Sequence, residues 1–208
     1  MKKLLVEFIG TFFLVLVVGL TVIEPGAGNL APVAIGFVLA VMVYAGGAIS
    51  GAHYNPAVTL AVWMRGKCET KDVVPYMVSQ LLAGVAAGLI VNYIKAGAFI
   101  APFNPDVPRA LIVETLFTFA LAYVVLSVAT SKKTAGNSYF GLAIGGTLLT
   151  GAFAGGAVSG GAYNPAVALG ITVMGLVPLN NIWIFLVANL AGGALAAVVY
   201  KVTNPDEY

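Results

Sequence analysis

Charge is what this 208-residue chain has least of. Only 9% of residues are Asp, Glu, Lys or Arg, against about 25% in an ordinary soluble domain. So few charges cannot cover a water-facing surface of this size, and so apolar a chain is not intrinsically disordered. The net charge of +2 gives no basic field for a nucleic-acid partner. One cysteine and one histidine exclude a disulfide framework, leave no cysteine-built metal site and make enzymatic chemistry poor. No cofactor motif is present. What is abundant is apolar: 60% hydrophobic residues, before the 25 glycines are added. The solvent for such a chain is lipid.

Six stretches are long enough to cross a bilayer, at residues 4–23, 30–49, 73–94, 110–130, 139–158 and 179–200; each needs roughly 20 apolar residues. Lys2, Lys3, Arg65, Lys67, Lys71, Lys132, Lys133 and Lys201 fall on one side of this arrangement and Lys95 and Arg109 on the other. The positive-inside bias therefore places both termini in the cytoplasm of a multi-pass cell-membrane protein.

Residues 46–58 read GGAISGAHYNPAV and residues 155–167 read GGAVSGGAYNPAV, identical at ten of thirteen positions and offset by 109. Glu7, Thr11 and Phe12 are echoed by Glu114, Thr118 and Phe119. The chain divides into a first repeat (1–95), a connecting loop (96–108) and a second repeat (109–203). Three spans per repeat is an odd number, so the second repeat is inverted in the membrane.

Beyond each motif the chain stays apolar, over 57–64 and 166–176, but too briefly to cross. These segments read as half-helices in re-entrant loops, allowed only where protein or a water-filled cavity surrounds them. Asn55 and Asn164 suit the N-cap, Pro56 and Pro165 the first turn, and Ala57 and Ala166 the propagating helix. Inversion brings the two N-termini together near the midplane, each with about half a positive charge. A water accepting hydrogen bonds from both asparagines points its hydrogens away along the pore, which breaks a proton wire, and the same field repels cations. The pairs Gly47/Gly51, Gly84/Gly88, Gly141/Gly145 and Gly156/Gly160 read as small-residue contacts between helices.

With its two Asn-Pro-Ala motifs, SGAHYNPAV at 50–58 and EFIGT at 7–11, the chain resembles the aquaporin (major intrinsic protein) family over nearly its whole length. The resemblance implies an all-α fold of six spans and two half-helices, a homotetramer with one pore per subunit, and passive conduction of water or small neutral solutes. It also implies an outer selectivity filter at Ile35, Ala152, Gly161 and Val167. Water-selective members carry an arginine at the last position, and glycerol-conducting members commonly an aspartate where Ala168 stands. Neither pattern is met. The filter is expected to be wide, apolar and uncharged, so that glycerol, urea, ammonia and hydrogen peroxide join water as candidate permeants.

Glu7 and Glu114 are buried-carboxylate candidates with two readings, a proton-coupling site or an acceptor for backbone N–H groups of the re-entrant loops. Their symmetric placement, and the family's use of such glutamates, favour the second. His53 either gates the pore mouth by protonation or shapes the loop. Tyr44, Tyr54 and Tyr163 read as packing, and Trp63 and Trp183 as interface anchors. A secondary transporter would also use inverted repeats and broken helices, but no paired ionisable groups occupy the midplane. A non-conducting structural membrane protein is the remaining alternative.

Overall fold

The computed structural model describes residues 1–207. Six long helices cross the thickness of the molecule: α1 (Lys2–Val22), α2 (Ala31–Ser50), α4 (Thr70–Ile94), α5 (Val107–Val125), α6 (Phe140–Ser159) and α8 (Ile182–Thr203). Two nine-residue helices, α3 (Pro56–Met64) and α7 (Pro165–Val173), follow α2 and α6. All six long helices are apolar enough to span a membrane, and no strand occurs among the described residues. The face carrying residues 2 and 203 is called the termini face below.

Small departures from the expected boundaries have local causes. The fourth span begins earlier because the Asp106 side chain accepts the N–H of Arg109 at 3.1 Å and Pro108 fits the first turn. It ends in a wider, π-type turn over Leu126–Thr130. The second half-helix stops at Val173 rather than 176, because Met174 caps it and Gly175 turns left-handed at φ 81°.

The inverted repeat is visible in the packing. α1 lies against α2 and α4, and α5 against α6 and α8. α2 meets α6 across the pseudo-two-fold axis, where a Cβ on Gly36 would lie 2.7 Å from the Gly145 carbonyl oxygen and one on Gly145 would lie 2.3 Å from that of Gly36. Each half-helix is seated chiefly on the opposite repeat, α3 on α8 and α7 on α4. That seating needs glycine. A Cβ on Gly193 would come within 2.4 Å of the Ala57 carbonyl oxygen, and one on Gly84 within 2.4 Å of that of Ala166. Backbone rather than a flexible side chain is the obstacle, so neither position can yield easily.

Two of the expected glycine pairs do not mark close helix approaches. A Cβ on Gly47 would meet Phe140 only at 3.6 Å, and one on Gly156 would meet nothing within 4 Å. Gly51 and Gly160 are left-handed C-caps, at φ 89° and 94°, that end α2 and α6 and turn the chain back into the membrane. Their role is to start the re-entrant loops.

Candidate conduction pathway

A loop at membrane depth exposes backbone N–H groups that lipid cannot satisfy. Glu7, fully buried on α1, supplies the acceptors in the first repeat. Its Oε1 accepts the His53 N–H at 3.0 Å and the Ser50 hydroxyl at 2.6 Å. Its Oε2 accepts the Tyr54 N–H at 2.7 Å and the Gln80 side-chain amide at 2.8 Å. Glu114 on α5 repeats the set with Ala162 N–H (3.0 Å), Ser159 hydroxyl (2.7 Å), Tyr163 N–H (2.7 Å) and Asn189 amide (2.8 Å). Each carboxylate thus takes four donors, two of them loop backbone N–H groups, with no exposure.

The loops then make an unusual turn. Tyr54 and Tyr163 sit in the left-handed region, at φ 50° and 48°, a conformation that costs a non-glycine residue about 1–2 kcal/mol. Each is held there by its own side chain. The Tyr54 hydroxyl donates to the Met42 carbonyl at 2.9 Å and the Tyr163 hydroxyl to that of Gly151 at 2.8 Å. A Cβ on Gly46 or Gly155 would fall 1.8 or 2.3 Å from these hydroxyls, so glycine there makes room for the tyrosine.

The turns deliver the asparagines. Asn55 Oδ1 accepts the Ala57 N–H at 2.8 Å and Asn164 Oδ1 accepts that of Ala166 at 2.9 Å, the expected N-caps. Their amide nitrogens cross between the loops: Asn55 Nδ2 donates to the Tyr163 carbonyl at 2.9 Å and Asn164 Nδ2 to the Tyr54 carbonyl at 2.8 Å. Each asparagine therefore spends one amide hydrogen tying the half-helices together, and one is left to meet a permeant.

Both asparagines border a cavity of about 220 Å³ that opens away from the termini face. Ile35 on α2, Ala152 on α6, and Gly161 and Val167 beside the second motif all line it. His53 lines it from below and also borders a cavity of about 320 Å³ on the termini-face side, with Val62, Lys67 and Thr130. His53, its ring in edge contact with Tyr76, and Val125 border both cavities.

The chain's first 200 residues match the family model described as major intrinsic protein. Curated relatives match along nearly the whole chain. Glycerol uptake facilitator protein-like 6 of Lactiplantibacillus plantarum is 33% identical, covering 100% of both chains. Aquaporin Z of Brucella melitensis is 30% identical, covering 97% of each. Aquaporin NIP1-4 of Oryza sativa subsp. japonica is 32% identical over 97% of this chain and 76% of its own length. The chain belongs to the major intrinsic protein family. It is a passive membrane channel for water and small solutes. The fold agrees with that of an aquaglyceroporin from Plasmodium falciparum, at TM-score 0.81 and 22% identity over 98% and 97% of the two chains.

Tyr54 borders the pore cavity as well as packing, Tyr163 is buried, and Tyr44 lies on the outside, its hydroxyl accepting from Leu142 N–H and donating to the Ser138 carbonyl. Trp63 and Trp183 are exposed near helix ends, as interface anchors are. Three sets of residues were not singled out from sequence. Gln80 and Asn189 complete the glutamate sites, and Thr59 accepts from Gln80 at 3.0 Å while lying 3.2 Å from His53 Nδ1. Gln80 and Asn189 are polar residues in apolar spans, 109 positions apart, so the repeat's own offset could have found them. The third set, Arg65 and Glu207, carries no such local signal.

Proposed function

We propose that the channel passes water together with small uncharged solutes, among them glycerol, urea, ammonia or hydrogen peroxide. The observation that carries this is the composition of the outer cavity wall: Ile35, Ala152, Gly161 and Val167 contribute no charge and no side-chain hydrogen-bonding group. Such a ring sets a loose size limit and no polar requirement. Charge exclusion then falls to the midplane, where the N-termini of α3 and α7 and the remaining amide hydrogens of Asn55 and Asn164 face any permeant. Similarity to both aquaporins and a glycerol uptake facilitator supports a permeant range wider than water.

His53 stands at the pore mouth as a loop-shaping residue, oriented by Thr59. No catalytic step is assigned, and the two repeats, 1–95 and 109–203, act as one membrane unit. The protein works as a homotetramer in the cell membrane with its termini in the cytoplasm; the basic residues of the termini face support that orientation.

The test is stopped-flow light scattering on proteoliposomes shocked with sucrose and then with glycerol, for the wild type and Val167→Arg. Fast shrinkage in sucrose, fast re-swelling in glycerol, and loss of the re-swelling in Val167→Arg are expected. Fast shrinkage without glycerol re-swelling in the wild type would show water selectivity without the arginine and refute the wide filter.

A further inference from the structure

Two of the chain's charges are withdrawn from solvent outside the glutamate sites. Arg65 caps the C-terminus of α3 at 3% exposure, and Glu207, in the turn Pro205–Glu207 after α8, is 5% exposed. Their side chains meet at 3.0 Å, Nη2 to Oε2. A buried ion pair is favourable only when further hydrogen bonds complete it. Here the Ser131 hydroxyl donates to Oε1 at 2.7 Å, the Lys132 N–H reaches both carboxylate oxygens at 3.1 Å, and the Lys133 N–H approaches Oε1 at 3.3 Å. Ser131 Oγ in turn accepts the Lys133 N–H at 3.0 Å. The Arg65 guanidinium also stands 5.4 Å over the Tyr200 ring.

Successive backbone N–H groups converging with a hydroxyl and a guanidinium make an anion receptor of carboxylate size. Its place is specific. Arg65 follows Val62 on α3, and Ser131 follows Thr130, and both Val62 and Thr130 line the termini-face cavity of the pore. The receptor thus lies directly behind two walls of the pore mouth, and Ser131 and Lys132 border an adjoining cavity that shares Gly51 and Thr130 with it. The second repeat has no counterpart, since Met174 takes the place of Arg65 at the 109-residue offset.

We propose that Arg65, Ser131, Lys132 and Lys133 form a carboxylate-binding site at the pore mouth and that Glu207 is its tethered ligand, fastening the segment after α8 to both walls. Tethering gives the ligand a local concentration of millimolar order or higher, so free anions do not displace it. The Ser131 hydroxyl, then the Lys132 and Lys133 N–H groups and Arg65, hold the Glu207 carboxyl at about 2 instead of 4.5. The site therefore stays loaded at neutral pH. Its contribution to stability is present above about 4.5 and is lost as pH falls toward 2.

The experiment uses the purified full-length protein and the variants Glu207→Gln, Ser131→Ala and Glu207→Gln combined with Arg65→Met. Sodium acetate is titrated against sodium chloride at matched ionic strength, with thermal stability and amide exchange at residues 131–137 as readouts. In Glu207→Gln, Tm falls and the Lys132 and Lys133 amides exchange about tenfold faster or more, as expected for losing hydrogen bonds to a charge. Acetate, not chloride, restores both saturably, while the wild type does not respond. The added Arg65→Met abolishes the rescue. Ser131→Ala, which keeps the ion pair, moves the acid-unfolding midpoint upward in pH. Wild-type exchange in Glu207→Gln, or a loss that acetate does not restore, overturns the proposal. If Glu207→Gln does not fold, an unchanged acid midpoint in Ser131→Ala overturns it equally.

Discussion

In the first re-entrant loop, His53 points its ring at Thr59, and Thr59 also takes a hydrogen bond from Gln80. In the second loop the same places hold Ala162 and Ala168, and Asn189 turns instead to Thr118 at 3.0 Å. Around these differences the frames are alike: a serine and two backbone N–H groups on a buried glutamate, a left-handed tyrosine bonded back to the preceding helix, an asparagine cap. The shared parts solve a problem common to both loops, satisfying backbone at membrane depth. Of the unshared parts, His53 and Ala162 border the pore cavity, while Thr59 and Ala168 are fully buried. Histidine and its threonine anchor occur together or not at all, which ties Thr59 to the orientation of His53.

The comparison can be broken most forcefully at the glutamates. Glu7→Ala and Glu114→Ala each strand four buried donors and are expected to cost several kcal/mol, of order 3–5, with near-equal losses of Tm in detergent. A large inequality would mean that one carboxylate does more than hold its loop. Gly84→Ala and Gly193→Ala come next. Each pushes a half-helix carbonyl away by its own Cβ and should cost about 1–3 kcal/mol, again in near-equal measure by thermal unfolding.

The threonines separate the repeats. Because the second amide hydrogen of Gln80 goes to Thr59, the Thr11 hydroxyl has no hydrogen-bond partner among the described residues, whereas Thr118 accepts from Asn189. Thr118→Val should lose about 1 kcal/mol and Thr11→Val should lose nothing measurable. Equal losses would refute the different routing of Gln80 and Asn189.

The smallest effect is at Ala52, left-handed at φ 52°, where the second repeat has Gly161 at φ 67°. Ala52→Gly should raise stability by a few tenths to about 1 kcal/mol, and Gly161→Ala should lower it by a similar amount. Denaturant midpoints of the two variants check both signs.

What was legible in the sequence followed from local chemistry. Asn-Pro-Ala states a helix start in three residues, six apolar runs state six spans, and a thirteen-residue repeat states the inversion. Ile35, Ala152, Gly161 and Val167 came instead from the family resemblance, and all four border one cavity. What was not legible depends on partners chosen in three dimensions. Nothing near Asn55 says that its amide will be used on Tyr163, 108 residues away. Arg65 reads as one more solvated charge of a basic loop until the segment after α8 brings Glu207 against it. Glycine alone did not say which pairs pack helices and which end them; φ decides that, and φ is set by where the chain must turn.

In the proposed function the crossed half-helices exclude charge without an outer arginine. Its most direct test is to measure water and proton permeability on the same proteoliposomes, by light scattering and by an entrapped pH-sensitive dye. Water permeability well above empty liposomes, with proton permeability at the empty-liposome level, is the expected result. A proton flux that rises in proportion to the amount of channel would contradict it.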